Sequence, residues 1–303
     1  MRAVVFAYHN VGVRCLKVLL ARGVDVQLVV THLDNPNETI WFESVAELCR
    51  ERNIPFITPE DAKSPELKQR VSESKPDLIF SFYYRHMLPL DVLDLARAGA
   101  YNMHGSLLPK YRGRVPVNWA VLHGETETGA TLHEMAAKPD AGAITAQTAV
   151  PILPDDTAFE VFGKLTVAAE QTLWNVLPSI LEGNPPRQVN DLSRGSYFGG
   201  RKPADGRIDW EQPAQAVYNL HRAVAPPYPG AFTELAGKIY QIGKARLAEK
   251  APADLPQGLA VVDNCIFGVC GDGRALLIHE LLSDGHPVSP AELQQTLSSL
   301  DQA

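Results

Sequence analysis

The sequence predicts an α/β fold: a Rossmann-like, doubly wound parallel sheet followed by a smaller C-terminal β-rich domain, OB- or barrel-like in kind. Three observations carry this. Short apolar runs alternate with stretches of helical periodicity over residues 3–82. Those runs are continuously apolar, as strands covered on both faces must be. From Ala231 to Ile278 the pattern changes to short alternating strands broken by Gly and Pro.

In order, Ala3–Ala7 reads as a first strand and Val11–Arg22 as a helix. Asp25–Thr31 is a second strand, followed by a polar loop holding Asp34-Asn35-Pro36-Asn37. Ile40–Arg52 repeats apolar residues at helical spacing, and Ile54–Ile57 is a short strand punctuated by Pro55 and Pro59. Ser64–Ser74 is a further helix and Asp77–Phe82 a buried strand. Gly99–Met103, Thr131–Met135 and Ile144–Val150 add three strands. Asp156–Leu181 is a long helix, capped by Pro154-Asp155-Asp156-Thr157 and stopped at Gly183. A Pro/Gly-rich stretch over Gly183–Gly206 places the boundary near residue 200, giving a catalytic domain over 1–200 and a β domain over 201–303.

The first strand-to-helix turn, Ala7-Tyr8-His9-Asn10-Val11-Gly12, keeps only Gly12 of the GxGxxG pattern that lets backbone approach a pyrophosphate, so NAD is not expected. The 303 residues are 45% hydrophobic and 21% charged, and the formal charge of -7 gives no general electrostatic reason to bind nucleic acid. Cys15, Cys49, Cys265 and Cys270 form no CxxC pair and read as reduced, mostly buried thiols, with Cys265 and Cys270 pointing into the β domain. No metal constellation is expected: His9, His32, His123, His133, His221, His279 and His286 are scattered and read as packing or surface residues. The N-terminal apolar run is too short for a signal-peptide core, and no stretch reaches the roughly 18 apolar residues of a membrane span. A cytoplasmic protein with no span of its own is expected, and association with copies of itself is left open.

The densest polar segment is Asn102-Met103-His104-Gly105-Ser106-Leu107-Leu108-Pro109-Lys110-Tyr111-Arg112-Gly113-Arg114. In an open parallel sheet, ligands bind beyond the carboxyl ends of the strands. Asn102 and His104 are two apart, so on an extended strand their side chains share a face. An amide donor and an imidazole aimed into one crevice can polarise a carbonyl and manage its protons. An isolated Asn-x-His also fits a capped turn with a hydrogen-bonded histidine. Asp140, in Lys138-Pro139-Asp140-Ala141-Gly142, fits an ordinary turn residue; beside His104 its carboxylate would stabilise imidazolium and raise the histidine pKa.

The run from Asn102 to Arg114, with Pro116 and the later Asp140-Ala141-Gly142, closely resembles the formyltransferases that use 10-formyltetrahydrofolate. The resemblance covers the whole chain. It implies Asn102 as transition-state stabiliser, His104 as the proton-handling residue and Asp140 as the group that raises its pKa. It places contacts to 10-formyltetrahydrofolate at His86, Met87, Leu88, Arg114, Ala136, Ala137, Lys138, Pro139 and Asp140, largely through backbone groups. Within the family, Val4–His9, Ser81–His86, Leu107–Arg114, Asn118-Trp119 and Gly124–Gly129 resemble the branch that formylates UDP-4-amino-4-deoxy-L-arabinose, a step in lipid A modification and polymyxin resistance. The decarboxylating dehydrogenase half of the bifunctional relatives is not expected within these 303 residues, which show no second Gly-rich Rossmann pattern.

The acceptor then expected is a small-molecule nucleotide sugar, not a nucleic acid. Tyr83 and Tyr84 could line its pocket or pack at a domain edge; Arg201 could pair with its diphosphate or form an interdomain ion pair. A tRNA-formylating relative would carry a basic insertion after the second strand, whereas Leu33–Glu43 holds no Lys or Arg. A methionyl-tRNA formyltransferase, a hydrolase of formyltetrahydrofolate and a non-catalytic nucleotide-sugar binding module remain as alternatives.

Overall fold

The computed structural model describes residues 1–249 and 255–300 and divides into two compact units. The first comprises Met1–Pro116, Glu127–Pro151 and Phe162–Gly199; the second gathers Val117–Thr126, Ile152–Val161 and the chain from Gly200 onward.

The first unit begins with β1 (Arg2–Ala7), α1 (His9–Ala21), β2 (Asp25–Val30), α2 (Val45–Arg52), β3 (Phe56–Ile57), α3 (Pro65–Glu73), β4 (Leu78–Phe82), the short α4 (Leu90–Leu93) and β5 (Gly99–His104). Then come β6 (Arg112–Gly113), α5 (Pro116–Leu122), which apart from Pro116 belongs to the second unit, β7 (Glu127–Glu134), β8 (Ile144–Pro151), α6 (Ala158–Leu181), of the first unit from Phe162 onward, and β9 (Tyr197–Phe198). Seven strands form one sheet in the order β3-β2-β1-β4-β5-β7-β8. The five strands from β3 to β5 run parallel, whereas β7 pairs antiparallel with β5 and β8 antiparallel with β7. The order reverses between β1 and β4, which opens a crevice at their carboxyl ends.

The expected alternation holds, with one helix shortened. Ile40–Ser44 is not helical; α2 starts at Val45, where the Ser44 side chain accepts the Glu47 N–H as N-cap. Ser64 caps α3 in the same way. Thr157 caps α6 by accepting from Glu160 N–H, while the Glu160 carboxylate takes the Thr157 N–H in return, a reciprocal capping box. All five β4 residues are buried. Val4, Phe6, Leu28, Val30 and Ile79 pack with Leu67, Val71 and Val92 into one core.

The second unit adds α7 (Ala214–Val224), β10 (Ala231–Leu235), β11 (Lys238–Leu247), β12 (Gly258–Val262), β13 (Cys265–Val269), β14 (Ala275–Ser283), β15 (His286–Pro287) and α8 (Pro290–Leu300). Its strands form an antiparallel sheet in the order β10-β11-β14-β13-β12, with β15 on β14. Helices α7 and α8 were not read from the sequence. Cys15, Cys49 and Cys270 are buried free thiols, whereas Cys265, expected inside the β domain, is exposed at the start of β13. No described helix is long and apolar enough to cross a membrane.

Candidate active site

Asn102 and His104 stand at the carboxyl end of β5. Strand β7 runs antiparallel beside it with Asn102 opposite His133 and His104 opposite Thr131. Directly opposed residues share a face, so this register brings His133 to Asn102. The Asn102 Nδ2 lies 3.1 Å from His133 Nε2, and His133 Nδ1 lies 2.8 Å from the Glu134 carbonyl. A carbonyl only accepts, so Nδ1 carries the hydrogen. In the neutral ring Nε2 is then an acceptor, and Asn102 donates one of its two amide hydrogens to it.

Asp140 comes from the turn between β7 and β8 and completes the cluster. Its Oδ1 is 3.5 Å from His104 Nδ1 and also 3.5 Å from His133 Nε2, while its Oδ2 accepts the Gly113 N–H at 2.9 Å. The His104 ring is 6% exposed, and its Nε2 is 2.8 Å from the Tyr111 carbonyl. Nε2 therefore donates, and Nδ1, facing Asp140, is the ring nitrogen left to exchange a proton.

Both backbone contacts come from β6 and the residue just before it. Alternate peptide groups of a strand face opposite sides. On one edge of β6 the Arg112 and Arg114 N–H groups donate to Ser196 and Phe198 of the β9 segment. On the other, the Tyr111 carbonyl meets His104 and the Gly113 N–H meets Asp140. Gly113 has φ of 99°, and a Cβ there would collide with the Phe198 carbonyl, so the clip needs glycine. Tyr111 (φ 56°), Val115 (φ 47°) and Asp140 (φ 50°) also adopt left-handed backbone around it. Such conformations cost about 1–3 kcal/mol each and concentrate where geometry serves function.

Burial dominates the electrostatics. It pushes the Asp140 carboxyl up, but His104, His133 and the Gly113 N–H together outweigh it and hold the group at about 2, so it is ionised. Burial pushes His104 below the usual histidine value; Asp140 and the Tyr111 carbonyl pull it back up only in part, and His133 lowers it. The carboxylate acts upward as expected, but desolvation of the ring is larger.

The other expected site residues divide. His86 and Met87 are exposed beyond β4, while Leu88 is buried in the core. Ala136, Ala137 and Lys138 are exposed and Pro139 half-buried in the turn that carries Asp140. Arg114 is exposed after β6. Tyr83, with φ of 59°, packs against Gly105, where an added Cβ would strike its hydroxyl. Tyr84 is 9% exposed, stacks on His32 at 4.2 Å and belongs to the core cluster. Arg201 belongs to the second unit, where its guanidinium lies 4.8 Å over Trp119 and donates to the Asp205 carbonyl.

Sequence reasoning missed His133, whose signal lies in strand pairing. It also treated His9 as a scattered residue, yet His9 is the hub of an aromatic group at the crevice, stacked on Phe42 at 3.9 Å and edge-on to Trp41 and Phe162. The loop after β2 is fastened across the same strand ends. Asp34 accepts from the Tyr8 hydroxyl at 2.7 Å, and Glu38 takes a two-pronged hydrogen bond from Arg85 at 2.9 and 2.8 Å.

A carboxylate shared by two imidazoles, with an amide oriented beside it at the end of a parallel strand, can polarise a carbonyl and move a proton. The sequence matches the formyl transferase family over residues 2–177 and that family's C-terminal domain over residues 201–297. The chain belongs to the formyl transferase family and is a formyltransferase. Among solved structures it is similar to the N-formyltransferase of Helicobacter canadensis, in complex with folinic acid and dTDP-3-aminofucose (19% identity, 91% of this chain, 98% of that chain, TM-score 0.69). WlaRD, a sugar 3N-formyl transferase solved in the presence of dTDP and 5-N-formyl-THF, gives 19% identity over 94% of this chain and 98% of that one, with TM-score 0.71. HypX of Aquifex aeolicus, in complex with tetrahydrofolic acid, gives 20% identity over 98% of this chain and 47% of that one, with TM-score 0.66. At these identities the likeness establishes a common fold.

Proposed function

We propose that this formyltransferase moves the formyl group of 10-formyltetrahydrofolate to the amine of a UDP-amino sugar, with UDP-4-amino-4-deoxy-L-arabinose as the acceptor and Asn102, His104 and Asp140 as the catalytic residues. The observation that carries this reading is the convergence of His104 Nδ1 and His133 Nε2 on Asp140 Oδ1, each at 3.5 Å, beside Asn102.

The residues present fit such a donor. A formyl oxygen needs an N–H on which to place developing charge, and Asn102 has one amide hydrogen beyond the one given to His133. Folate supplies an activated formyl carbon and a nitrogen leaving group. Asn102 stabilises the oxygen as the amine attacks, an effect worth about 3 kcal/mol per preorganised donor. Because burial favours the neutral ring, His104 Nδ1 is available as a base for the proton the amine sheds on forming the new C–N bond. Asp140 holds the resulting imidazolium in place. The same Nδ1–H then returns its proton to the departing nitrogen, leaving an N-formyl sugar and tetrahydrofolate with His104 neutral again. His86 to Leu88, Arg114 and the exposed turn at Ala136 to Pro139 are the proposed folate contacts. Tyr83 and Arg201 are proposed for the nucleotide sugar.

A nucleotide sugar is favoured over tRNA by the loop after β2, which has no Lys or Arg and whose Asp34 and Glu38 are tied to Tyr8 and Arg85. The dTDP-sugar and dTDP complexes of the similar proteins support the same acceptor class. The test is turnover of 10-formyltetrahydrofolate with UDP-4-amino-4-deoxy-L-arabinose, a dTDP-amino sugar, initiator methionyl-tRNA, or no acceptor. The UDP-amino sugar should support the fastest turnover. Formylation of the tRNA alone would overturn the acceptor, and formate release at full rate without an amine would make the protein a hydrolase.

A further inference from the structure

Between α6 and β9 the chain runs along the surface: Arg187, Gln188 and Val189 are exposed, Val189 at 88%. Asn190, in the middle of this connector, is 9% exposed. Its Nδ2 donates to the Asp140 carbonyl at 2.9 Å and to the Gly142 carbonyl at 3.1 Å. Two carbonyl acceptors fix which end of the amide faces them. Its Oδ1 is buried and has no hydrogen-bond partner among the described residues. The side chain therefore acts here as a two-hydrogen donor and nothing else. Leaving an amide oxygen unsatisfied costs about 1–3 kcal/mol, which argues that the donor end is what the position retains.

What those hydrogens hold is the residue whose carboxylate both imidazoles share. Asp140 sits at φ of 50°, in the left-handed region that aspartate adopts mainly in tight turns, so its carboxylate is placed by the backbone of this turn. The turn is as tight at Gly142, where a Cβ would collide with the Glu134 carbonyl. The connector is anchored on both sides of Asn190. Upstream, Gln188 exchanges backbone hydrogen bonds with Ile144 at 2.8 and 2.9 Å. Downstream, Ser196 accepts the Arg112 N–H through its carbonyl and the Tyr111 N–H through its hydroxyl at 2.9 Å. One exposed segment thus reaches the backbone under Asp140 and the strand that holds His104.

We propose that Asn190 is a positioning residue of the reaction: through the backbone of the Asp140–Gly142 turn it sets where the Asp140 carboxylate stands against His104 and His133. It touches neither imidazole. The groups facing the carboxylate are His104, His133 and the Gly113 N–H, and those facing His104 are Asp140, His133 and the Tyr111 carbonyl. Of these, Asp140 is the one that Asn190 locates. When its turn relaxes, the upward pull on His104 weakens and the histidine titrates at lower pH.

The inference rests on the proposed reading of the site, and its test separates the two. Asn190→Leu keeps the number and branching of the side-chain heavy atoms, though it is bulkier, and removes both donated hydrogens; Asn190→Ser keeps a single donor. In Asn190→Leu, kcat should fall roughly 10- to 100-fold, the cost of a slight misplacement of a catalytic group. KM for both substrates should stay within a factor of two, and the acid limb of the pH–kcat profile should move to lower pH. Asn190→Ser should lie between Leu and wild type. The His104 titration, followed by NMR with labelled histidine in the unliganded protein, should move the same way and needs no acceptor. An unmoved titration and acid limb overturn the role of Asn190, even if activity falls in step with melting temperature. If Asn190→Leu is too unstable to assay, the same readouts on Asn190→Ser decide. A shifted titration in a protein that formylates no amine sinks the functional reading and leaves the positioning role standing.

Discussion

Asn102 gives one amide hydrogen to His133, whose Nε2 stands 3.1 Å from Nδ2. With His133 Nδ1 committed to the Glu134 carbonyl, this bond settles which way the Asn102 amide faces and directs its second hydrogen. His133→Leu should leave the amide free to turn and lower kcat about 10-fold, near the smaller end of what a lost oxyanion donor costs. His133→Gln, which can still present an oxygen acceptor, should recover part of that loss. Steady-state kinetics on the two variants checks it; equal activity of Leu and wild type would contradict the orientation role.

Asp140→Asn can still accept the Gly113 N–H, so the clip survives while the charge is lost. The remaining influences on His104 are then burial and His133, which lower its pKa, and the Tyr111 carbonyl, which raises it. His104 acts as a base in its neutral form, so activity rises with pH through its pKa. Removing the upward pull should therefore move the acid limb to lower pH, while the plateau falls about 10²-fold. A limb that moves to higher pH would contradict the assigned sign.

Gly113→Ala forces a Cβ into the Phe198 carbonyl at a φ of 99°. The strand must part from β9 or distort, and either displaces the contacts to both His104 and Asp140. We expect a loss of about 2 kcal/mol or more in unfolding free energy, with kcat reduced more than stability alone accounts for. Denaturant melts and kinetics on one preparation measure both.

Several histidines are buried in the neutral form, and this makes the fold acid-sensitive. Burial, reinforced by Arg85, holds His9 at about 3; burial with Arg246 and Arg222 holds His221 at about 4, and His104 is lowered as well. In the unfolded chain each takes its proton near the ordinary value of about 6.5. Their contribution to stability is therefore complete above that value and is lost as pH falls from 6.5 toward 4. Between pH 7.5 and 5.5 unfolding free energy should drop by roughly 3 kcal/mol, and His221→Asn should flatten the slope. A stability profile level across that range would contradict the burial of neutral rings.

Much of the first unit was legible because its rules are local. Ser64 and Thr157 cap helices where their sequence context says they should, and the apolar runs at Val4–Phe6 and Leu78–Phe82 are buried strands. Asn102, His104 and Asp140 lie together as the motif implied. The hidden parts depend on pairing between distant segments. His133 is an ordinary strand histidine until β7 is known to lie antiparallel beside β5. Asn190 sits among exposed residues with no motif around it. Ile40–Ser44 has helical spacing but instead supplies Trp41 and Phe42 to the aromatic group on His9, a tertiary contact that overrides local preference.

The most direct test of the central claim is formyl transfer by His104→Ala with 10-formyltetrahydrofolate and UDP-4-amino-4-deoxy-L-arabinose at saturating concentrations. If His104 carries the proton between amine and leaving group, kcat should fall by about 10²- to 10⁴-fold, while melting temperature and the KM of both substrates stay near wild type. Turnover at the wild-type rate by the folded variant would contradict it.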